Sequence, residues 1–267
     1  MAAVRPAAVA GSFYPGDPSA LAAEVATYLA DARNTAPGVR APKAIIAPHA
    51  GYIYSGAVAA SIYARLAPLR SIVRRVVLAG PAHRVYVAGA AIPEVEAFSS
   101  PLGTVALDRE ALARLAALPF VEVSDRAHAL EHSLEVHLPF LQSVLGSFSL
   151  VPVVVGDASP EEAALLFETL WGGPETLIVV SSDLSHYLPY ESARGRDRAT
   201  AGAIVGLEAR LVPEEACGAA PINGLLRAAR GHGLAAEMVD LRNSGDTAGD
   251  RSRVVGYGAF AFTENAS

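Results

Sequence analysis

The chain has 267 residues, of which 52% are hydrophobic and 18% charged, and its formal net charge is −6. This composition excludes a disordered chain, and the lack of a basic run argues against nucleic acid or an anionic membrane as a partner. A single cysteine excludes an intrachain disulfide, and no apolar run reaches the ~18 residues of a membrane span. Since the opening residues also lack a signal-peptide pattern, we expect a cytoplasmic protein.

Strands and helices are predicted to alternate along the chain. In chain order the predicted elements are a helix from Pro18, a strand at 44–47, a helix capped by Ser55 to about residue 66, a strand at 75–79, a β-rich segment at 86–105, a helix at 108–118, a strand at 150–155, a helix after Ser159-Pro160, a strand at 176–180, helices at 190–207 and 221–230, and strands at 237–241 and 254–262. Such alternation favours an α/β fold. We expect one domain over residues 1–267, with a mixed central sheet flanked by helices.

Two histidines follow predicted strands directly. His49 comes after the strand at 44–47, and His83 comes after the strand at 75–79, each beside a proline. Ligands of open α/β sheets bind at the carboxyl ends of the strands, and imidazole suits Fe, Zn, Cu and Ni. Either residue alone could be a packed histidine bonded to a carbonyl, but the pair predicts a shared metal site.

Cys217 is a candidate third ligand. It lies just before Gly218 and the predicted helix start at Pro221, and a helix N-terminus favours the thiolate form that binds metals. A lone cysteine is more often a small buried hydrophobic residue. Glu214 or Glu215 could supply an oxygen ligand instead.

Asp183 and His186 follow the predicted strand at 176–180. Histidine is the commonest acid–base group near neutral pH, and a neighbouring aspartate can orient it. We therefore predict a catalytic role for both residues. In the alternative interpretation, Asp183 and Ser185 cap the turn that follows.

The segment from His128 to Pro139 is rich in ionisable groups. As a helix, it would place His128, His132 and Glu135 on one face and His137 on the apolar face. This arrangement predicts His132 and Glu135 as residues that support the metal ligands and His137 as a core residue. The segment lacks the His-Glu-x-x-His order of zinc proteases, and Pro139 leaves the helical register open.

Several short motifs resemble those of one known family. They are Gly11-Ser12-Phe13-Tyr14-Pro15, Ala47-Pro48-His49-Ala50-Gly51-Tyr52, Gly80-Pro81-Ala82-His83, Glu131-His132-Ser133-Leu134-Glu135 with His137-Leu138-Pro139, Ser181-Ser182-Asp183 with His186, and Cys217-Gly218 with Pro221-Ile222. In this order they are similar to the Memo family, whose bacterial and archaeal members are called AmmeMemoRadiSam system protein B. The resemblance runs from about Arg5 to Phe262.

The resemblance implies a fold like that of the LigB-type class III extradiol dioxygenases. Those enzymes hold Fe(II) with two histidines and a carboxylate and use a further histidine for acid–base chemistry. Carried over, His49 and His83 match the histidine ligands, and Cys217 matches the Memo position that stands where the dioxygenases have the carboxylate. His186 matches the additional active-site histidine, with Asp183 beside it. A thiolate is softer than a carboxylate, which argues against ring cleavage.

Three functions follow as hypotheses. The first is a redox protein that holds Fe(II), with Cu or Zn as alternatives, and takes a small molecule or peptide in its metal pocket. The second is an adaptor that uses the same pocket for a peptide, or that binds the AMMECR-type and radical-SAM proteins implied by the family name. The third is a zinc hydrolase with Glu135 as its base.

Overall fold

The computed structural model describes residues 3–33 and 41–264. Its strands are β1 (Val4–Arg5), β2 (Ala44–Ala47), β3 (Arg75–Pro81), β4 (Ala90–Ile92), β5 (Ala97–Ser100), β6 (Gly103–Ala106), β7 (Val121–Val123), β8 (Ser149–Val155), β9 (Thr176–Ser181), β10 (His186–Leu188), β11 (Leu234–Asn243) and β12 (Val254–Glu264). Its helices are α1 (Pro18–Arg33), α2 (Tyr52–Tyr63), α3 (Arg109–Ala116), α4 (Asp125–Ala129), α5 (Leu138–Val144), α6 (Pro160–Leu170), α7 (Tyr190–Val205), α8 (Ala219–Gly231) and α9 (Ser244–Thr247).

A nine-stranded mixed sheet forms the centre of the protein. Its order is β10-β12-β2-β9-β3-β8-β4-β7, and β11 pairs with β12. The four strands β2, β9, β3 and β8 are parallel, whereas β12 and β4 run antiparallel to their neighbours β2 and β8. A separate three-stranded sheet has the order β1-β5-β6. The predicted mixed α/β fold is confirmed.

The central strands are buried on both faces. Every residue of β2 and β9 is buried, although successive side chains of a strand point to opposite faces. Helices must therefore cover both faces, which explains why these strands read as continuous apolar runs. Among the described residues, no helix is long and apolar enough to cross a membrane.

Two predicted helix starts differ from the structure, and one is confirmed. Helix α2 begins at Tyr52, so Ser55 lies inside it and donates its hydroxyl to the Ala50 carbonyl instead of capping the helix. Helix α8 begins two residues before Pro221, at Ala219. The start at Ser159 is confirmed, because its side chain and that of Glu162 form a reciprocal capping box.

The segment 128–139 is not a helix, so the prediction that His128, His132 and Glu135 share a helical face is wrong. Helix α4 ends at Ala129, a 3-10 turn covers Glu135–His137, and α5 then begins at Leu138. The chain between them is tied to the end of β3, because the Ser133 hydroxyl donates to the Pro81 carbonyl at 2.9 Å. This hydrogen bond to a distant strand replaces a helical one. The side chains of His128, His132 and Glu135 therefore lie in different surroundings.

Candidate metal centre

The carboxyl ends of three neighbouring strands bring the predicted site residues together. Strands β2, β9 and β3 lie side by side, and the chain that follows them carries His49, Asp183 and His83 respectively. A cavity of about 780 Å³ lies at this edge of the sheet. Its lining includes His49, His83, His132, Asp183 and His186. The structure therefore brings these predicted residues to one edge of the sheet, whereas their function stays a prediction.

Three histidines converge in this cavity. One ring nitrogen each from His49, His83 and His132 lies within 4.8 Å of the other two. The ring centroids are 5.1 Å apart for His49 and His83, 5.5 Å for His49 and His132, and 4.7 Å for His83 and His132. We call these three residues the histidine cluster. His132 was predicted only to support the metal ligands, whereas it lies beside the two predicted ligands.

Hydrogen bonds fix the tautomer of His49. Its Nδ1 lies 2.6 Å from the Ser181 hydroxyl, which donates its own proton to the Ser133 carbonyl at 2.6 Å. Nδ1 must therefore be the protonated donor to Ser181, which leaves a lone pair on Nε2. Burial, followed by the charge repulsion of the neighbouring histidines, holds the pKa of His49 well below its usual value. The residue is neutral at physiological pH and able to bind a cation through Nε2.

Glu131 orients His83. One carboxylate oxygen accepts the His83 backbone N–H at 2.6 Å, and the other accepts Nδ1–H at 3.0 Å and the Ser133 N–H at 2.9 Å. Burial favours a raised pKa for this carboxyl, but the bonds from His83 and Ser133 outweigh it and lower the pKa to about 2. An ionised carboxylate behind the ring leaves Nε2 of His83 free for a metal, as in many metal sites.

His132 is held by packing rather than by a hydrogen bond. Its Nδ1 is 3.4 Å from the Glu131 carboxylate and has no hydrogen-bond partner among the described residues. The Phe13 ring lies 4.9 Å from its centroid. Burial lowers the pKa of His132 to about 4, although the Glu131 charge opposes this shift. The ring is therefore neutral at physiological pH.

Asp183 holds the His49 segment in place. Its carboxylate accepts the His49 backbone N–H at 2.8 Å, and burial raises its pKa to about 7 against the bonds from His49 and Ala50 that lower it. The Asp183 carboxylate thus accepts from another segment of the chain, whereas the alternative interpretation has it cap the turn that follows it. His186, at the start of β10, lines the same cavity, and burial lowers its pKa. The catalytic roles of Asp183 and His186 stay predictions.

Cys217 contacts one member of the histidine cluster. Its sulfur lies 3.3 Å from His49 Nε2 and accepts the Asp183 backbone N–H at 3.3 Å, but it is not part of the group of mutually close ligand atoms. Burial and the nearby Asp183 charge raise the pKa of the thiol to about 12. Burial therefore outweighs the helix N-terminus, which by itself would favour the thiolate. The role of Cys217 as a ligand stays a prediction.

The structure shows a different role for Glu135 from the predicted support of metal ligands. Its carboxylate is fully buried and accepts bonds from Arg5 at 2.6 Å and from the Tyr14 hydroxyl at 2.6 Å. It also accepts the backbone N–H groups of Ala8 and Val9. These bonds, formed within the described residues, do not include a histidine of the cluster, so Glu131 rather than Glu135 supports the cluster. Both glutamates belong to one motif, and the sequence does not indicate which of them supports the histidines.

Sequence comparisons show the family of the chain. Residues 5–261 match the profile of the family described as "Memo-like protein". A "MEMO1 family protein" of Aquifex aeolicus is 37% identical, with 95% of this chain and 97% of that protein aligned. One of Sulfolobus acidocaldarius is 35% identical, with 95% and 97% aligned. Another, from Ignicoccus hospitalis, is 36% identical, with 97% and 98% aligned.

A solved structure has a related fold. It is described as "uncharacterized protein JW3007 from Escherichia coli K12", with a TM-score of 0.52 and 16% sequence identity. The alignment covers 82% of this chain and 99% of that protein. At this identity the likeness concerns the fold alone. The family profile and the relatives, taken together, establish that the chain belongs to the Memo family.

Proposed function

We propose that this protein binds a redox-active transition metal, Fe(II) first and copper second, at the histidine cluster. The observation that carries the proposal is the convergence of His49, His83 and His132 with their ring nitrogens within 4.8 Å of one another. Histidines that share no ligand gain nothing from converging, because protonated rings repel one another. Hydrogen bonds at Nδ1 leave Nε2 of His49 and of His83 available to a metal, which suits coordination.

The donor set fits the proposed metal. Three imidazoles would hold the ion, and the Cys217 thiol beside His49 would offer a further, softer ligand. A bound iron or copper ion would supply one-electron redox chemistry and Lewis acidity. His186 would then move protons at the wall of the cavity, and Asp183 would keep the His49 backbone in position. The activity is that of a metal-dependent oxidoreductase, and ring cleavage is not part of the proposal.

The test is an anaerobic titration with Fe(II), Cu(I) and Zn(II) of the wild type and of His83→Ala, His132→Ala and Cys217→Ala. We expect stoichiometric binding of iron or copper by the wild type. Each histidine variant should lose about tenfold or more in affinity, because a ligand is removed. Loss of binding in Cys217→Ala as well would establish the thiol as a ligand, whereas retention would restrict the site to the three histidines.

A matched control is His232→Ala. This histidine lies outside the cavity, stacked on Trp171 and bonded to Glu168, so its loss should not change metal affinity. Failure of the wild type to bind any of the three ions would refute the proposal. Strong preference for zinc together with hydrolytic activity would favour the hydrolase, although Glu135 is too enclosed to serve as its base.

A second candidate is a binding or adaptor protein that keeps the pocket for a peptide or for a companion protein of the AMMECR or radical-SAM type. An exposed aromatic ring in the cavity lining favours it, since Tyr187 is 63% exposed. Such rings are common at protein interfaces. Capture of a companion protein by wild type, undiminished in His83→Ala but lost in Tyr187→Ala, would support this function over the redox one.

A further inference from the structure

Strand β10 carries one residue more than regular pairing with β12 requires. His186 pairs with Val255 of β12. Leu188, two residues further along β10, pairs with Val254, which is only one residue away on β12. Tyr187 is therefore the extra residue of a β-bulge. Bulges bend a strand and redirect its side chains, and they are over-represented next to active sites.

The bulge allows two successive side chains to face one cavity. Successive residues of a regular strand point to opposite faces of the sheet. His186 and Tyr187 nevertheless both line the histidine cavity. Their rings meet edge-on, with 5.8 Å between the centroids and 69° between the planes. His186 is half-buried and Tyr187 is 63% exposed, so the tyrosine lies on the solvent side of the pair.

The backbone at Tyr187 is strained. Its φ is 58°, in the left-handed region where a Cβ atom is unfavourable and glycine is the usual residue. Four of the six described residues with positive φ are indeed glycines. Strained residues are concentrated at functional sites, where the surrounding structure holds them. A tyrosine at this position indicates that the ring itself is required.

A second contact holds the same ring. The guanidinium carbon of Arg253 lies 5.1 Å from the centroid of the Tyr187 ring, a distance at which a cation and an aromatic ring attract each other. Arg253 directly precedes β12 and lines the same cavity. The Tyr187 ring therefore contacts an imidazole and a guanidinium of the cavity wall, although most of its surface faces solvent.

We infer that Tyr187 is a positioning residue that holds the His186 ring in the histidine cavity. The bulge directs both rings to the cavity, and their edge-on contact restricts the rotation of the imidazole and covers it from solvent. The inference rests on the proposed function, in which His186 moves protons, because it names the residue that orients His186. Tyr187 does not belong to the histidine cluster, so it can be replaced without removing a metal ligand.

The test is the rate at which diethyl pyrocarbonate acylates each histidine of the metal-free protein, measured by peptide mass spectrometry. Tyr187→Ala and Tyr187→Gly remove the ring and should each raise the rate at His186 about two- to tenfold, the range expected for the loss of an aromatic pair. Tyr187→Phe keeps the ring and should retain the wild-type rate. The exposed His232, which lies outside the cavity, should react equally in all four proteins.

The alanine and glycine variants separate the ring from the backbone strain. Both lack the ring, but only glycine relieves the left-handed conformation. The unfolding equilibrium constant of Tyr187→Gly should therefore be roughly threefold smaller than that of Tyr187→Ala. Tyr86→Ala is the matched control for the ring, because Tyr86 is 79% exposed and lies outside the cavity lining. Its His186 should react at the wild-type rate.

An unchanged rate at His186 in Tyr187→Ala and Tyr187→Gly, or an equal rise in Tyr86→Ala or Tyr187→Phe, would overturn the inference. An equal rise at His83 would also overturn it, because Tyr187 would then screen the whole cavity instead of holding His186. Metal titration of the same variants should show unchanged affinity. A wild type that binds no metal would refute the proposed function, whereas the acylation rates of the metal-free protein would still decide the role of Tyr187.

Discussion

Glu131 and Glu135 belong to one short motif, yet their surroundings assign them different roles. Glu131 accepts three hydrogen bonds, two of them from His83. We expect Glu131→Gln to lower metal affinity about ten- to hundredfold, as loss of a supporting carboxylate typically does. The amide group would oppose an N–H donor and release the His83 ring. Metal titration and chemical denaturation of the same variant measure this effect.

Glu135→Gln is the matched comparison for Glu131→Gln. The change leaves Arg5 buried without its full counter-charge, and breaking a buried pair costs about 3–5 kcal/mol. Urea unfolding should therefore show a large loss of stability, while the folded protein keeps its metal affinity. If Glu131→Gln instead lost stability and kept its affinity for metal, the assignment of the two glutamates would be reversed.

The sequence could identify His49 and His83 because each follows an apolar run that ends at a proline. Whether a residue follows a strand is visible in the local sequence. The carboxyl ends of parallel strands lie at one edge of the sheet, so residues that follow such strands are expected to lie at that edge. Glu131 and His132 were harder to interpret, since their segment has no period of its own. Its conformation depends on bonds to Pro81 and Ser181, which lie far away in the chain.

At the scale of elements, the loop that carries His132 packs directly on the end of β3. A Cβ added at Gly80 would lie 2.9 Å from Leu134, 3.0 Å from Ser181 and 3.1 Å from the Ser133 hydroxyl. We expect Gly80→Ala to displace this loop, lower stability by about 1–3 kcal/mol and weaken metal binding. Denaturation and metal titration measure the two effects.

Gly195→Ala is the control for this substitution. Gly195 lies inside α7, where an added Cβ meets no atom within 4 Å. Alanine in a helix interior stabilises by roughly 0.5–1 kcal/mol relative to glycine. Both variants exchange glycine for alanine, but only the methyl group at Gly80 meets close neighbours. A higher stability of Gly195→Ala and a lower stability of Gly80→Ala would therefore show that the loss at Gly80 is steric. Unchanged metal affinity in Gly80→Ala would show that the His132 loop tolerates displacement.

Periodicity accounts for how well the elements could be predicted. Strands β2, β3, β8 and β9 could be predicted nearly to the residue, because burial on both faces favours apolar residues at successive positions and leaves polar residues only at the strand ends. Helix starts were less certain. Ser55 has the residue type of a cap, but Tyr52 already begins the helix behind Gly51.

At the scale of the whole molecule, buried histidines couple stability to pH. His137 is fully buried with its Nδ1 against the Tyr63 hydroxyl at 2.8 Å, and burial lowers its pKa to about 3. Burial likewise lowers the pKa of His128 to about 4. Both are neutral when folded, whereas an unfolded histidine titrates near ~6.5. Below that pH the unfolded chain binds more protons than the folded protein. These two groups therefore lower the free energy of unfolding as the pH is lowered.

Asp183 acts in the opposite direction. Its pKa is raised to about 7, so from about pH 7 down to about 4 the folded state binds more protons than the unfolded chain, which favours folding as the pH falls. The pH dependence of the wild type is therefore a sum of opposing terms. The contribution of one histidine must be measured as a difference between variants.

In His137→Asn, the one proton that the unfolded wild type takes up at this residue between pH 6.5 and about 3, and the folded wild type does not, is absent. The unfolding free energy of the variant should then change with pH less steeply than that of wild type, by up to about 1.4 kcal/mol per pH unit. Phe140→Leu is the control, because Phe140 stacks on Tyr63 at 5.1 Å and carries no proton. That variant should lose stability equally at every pH. Urea unfolding between pH 7 and 4.5 measures both slopes, and a wild-type slope in His137→Asn would show that His137 is already protonated in the folded protein.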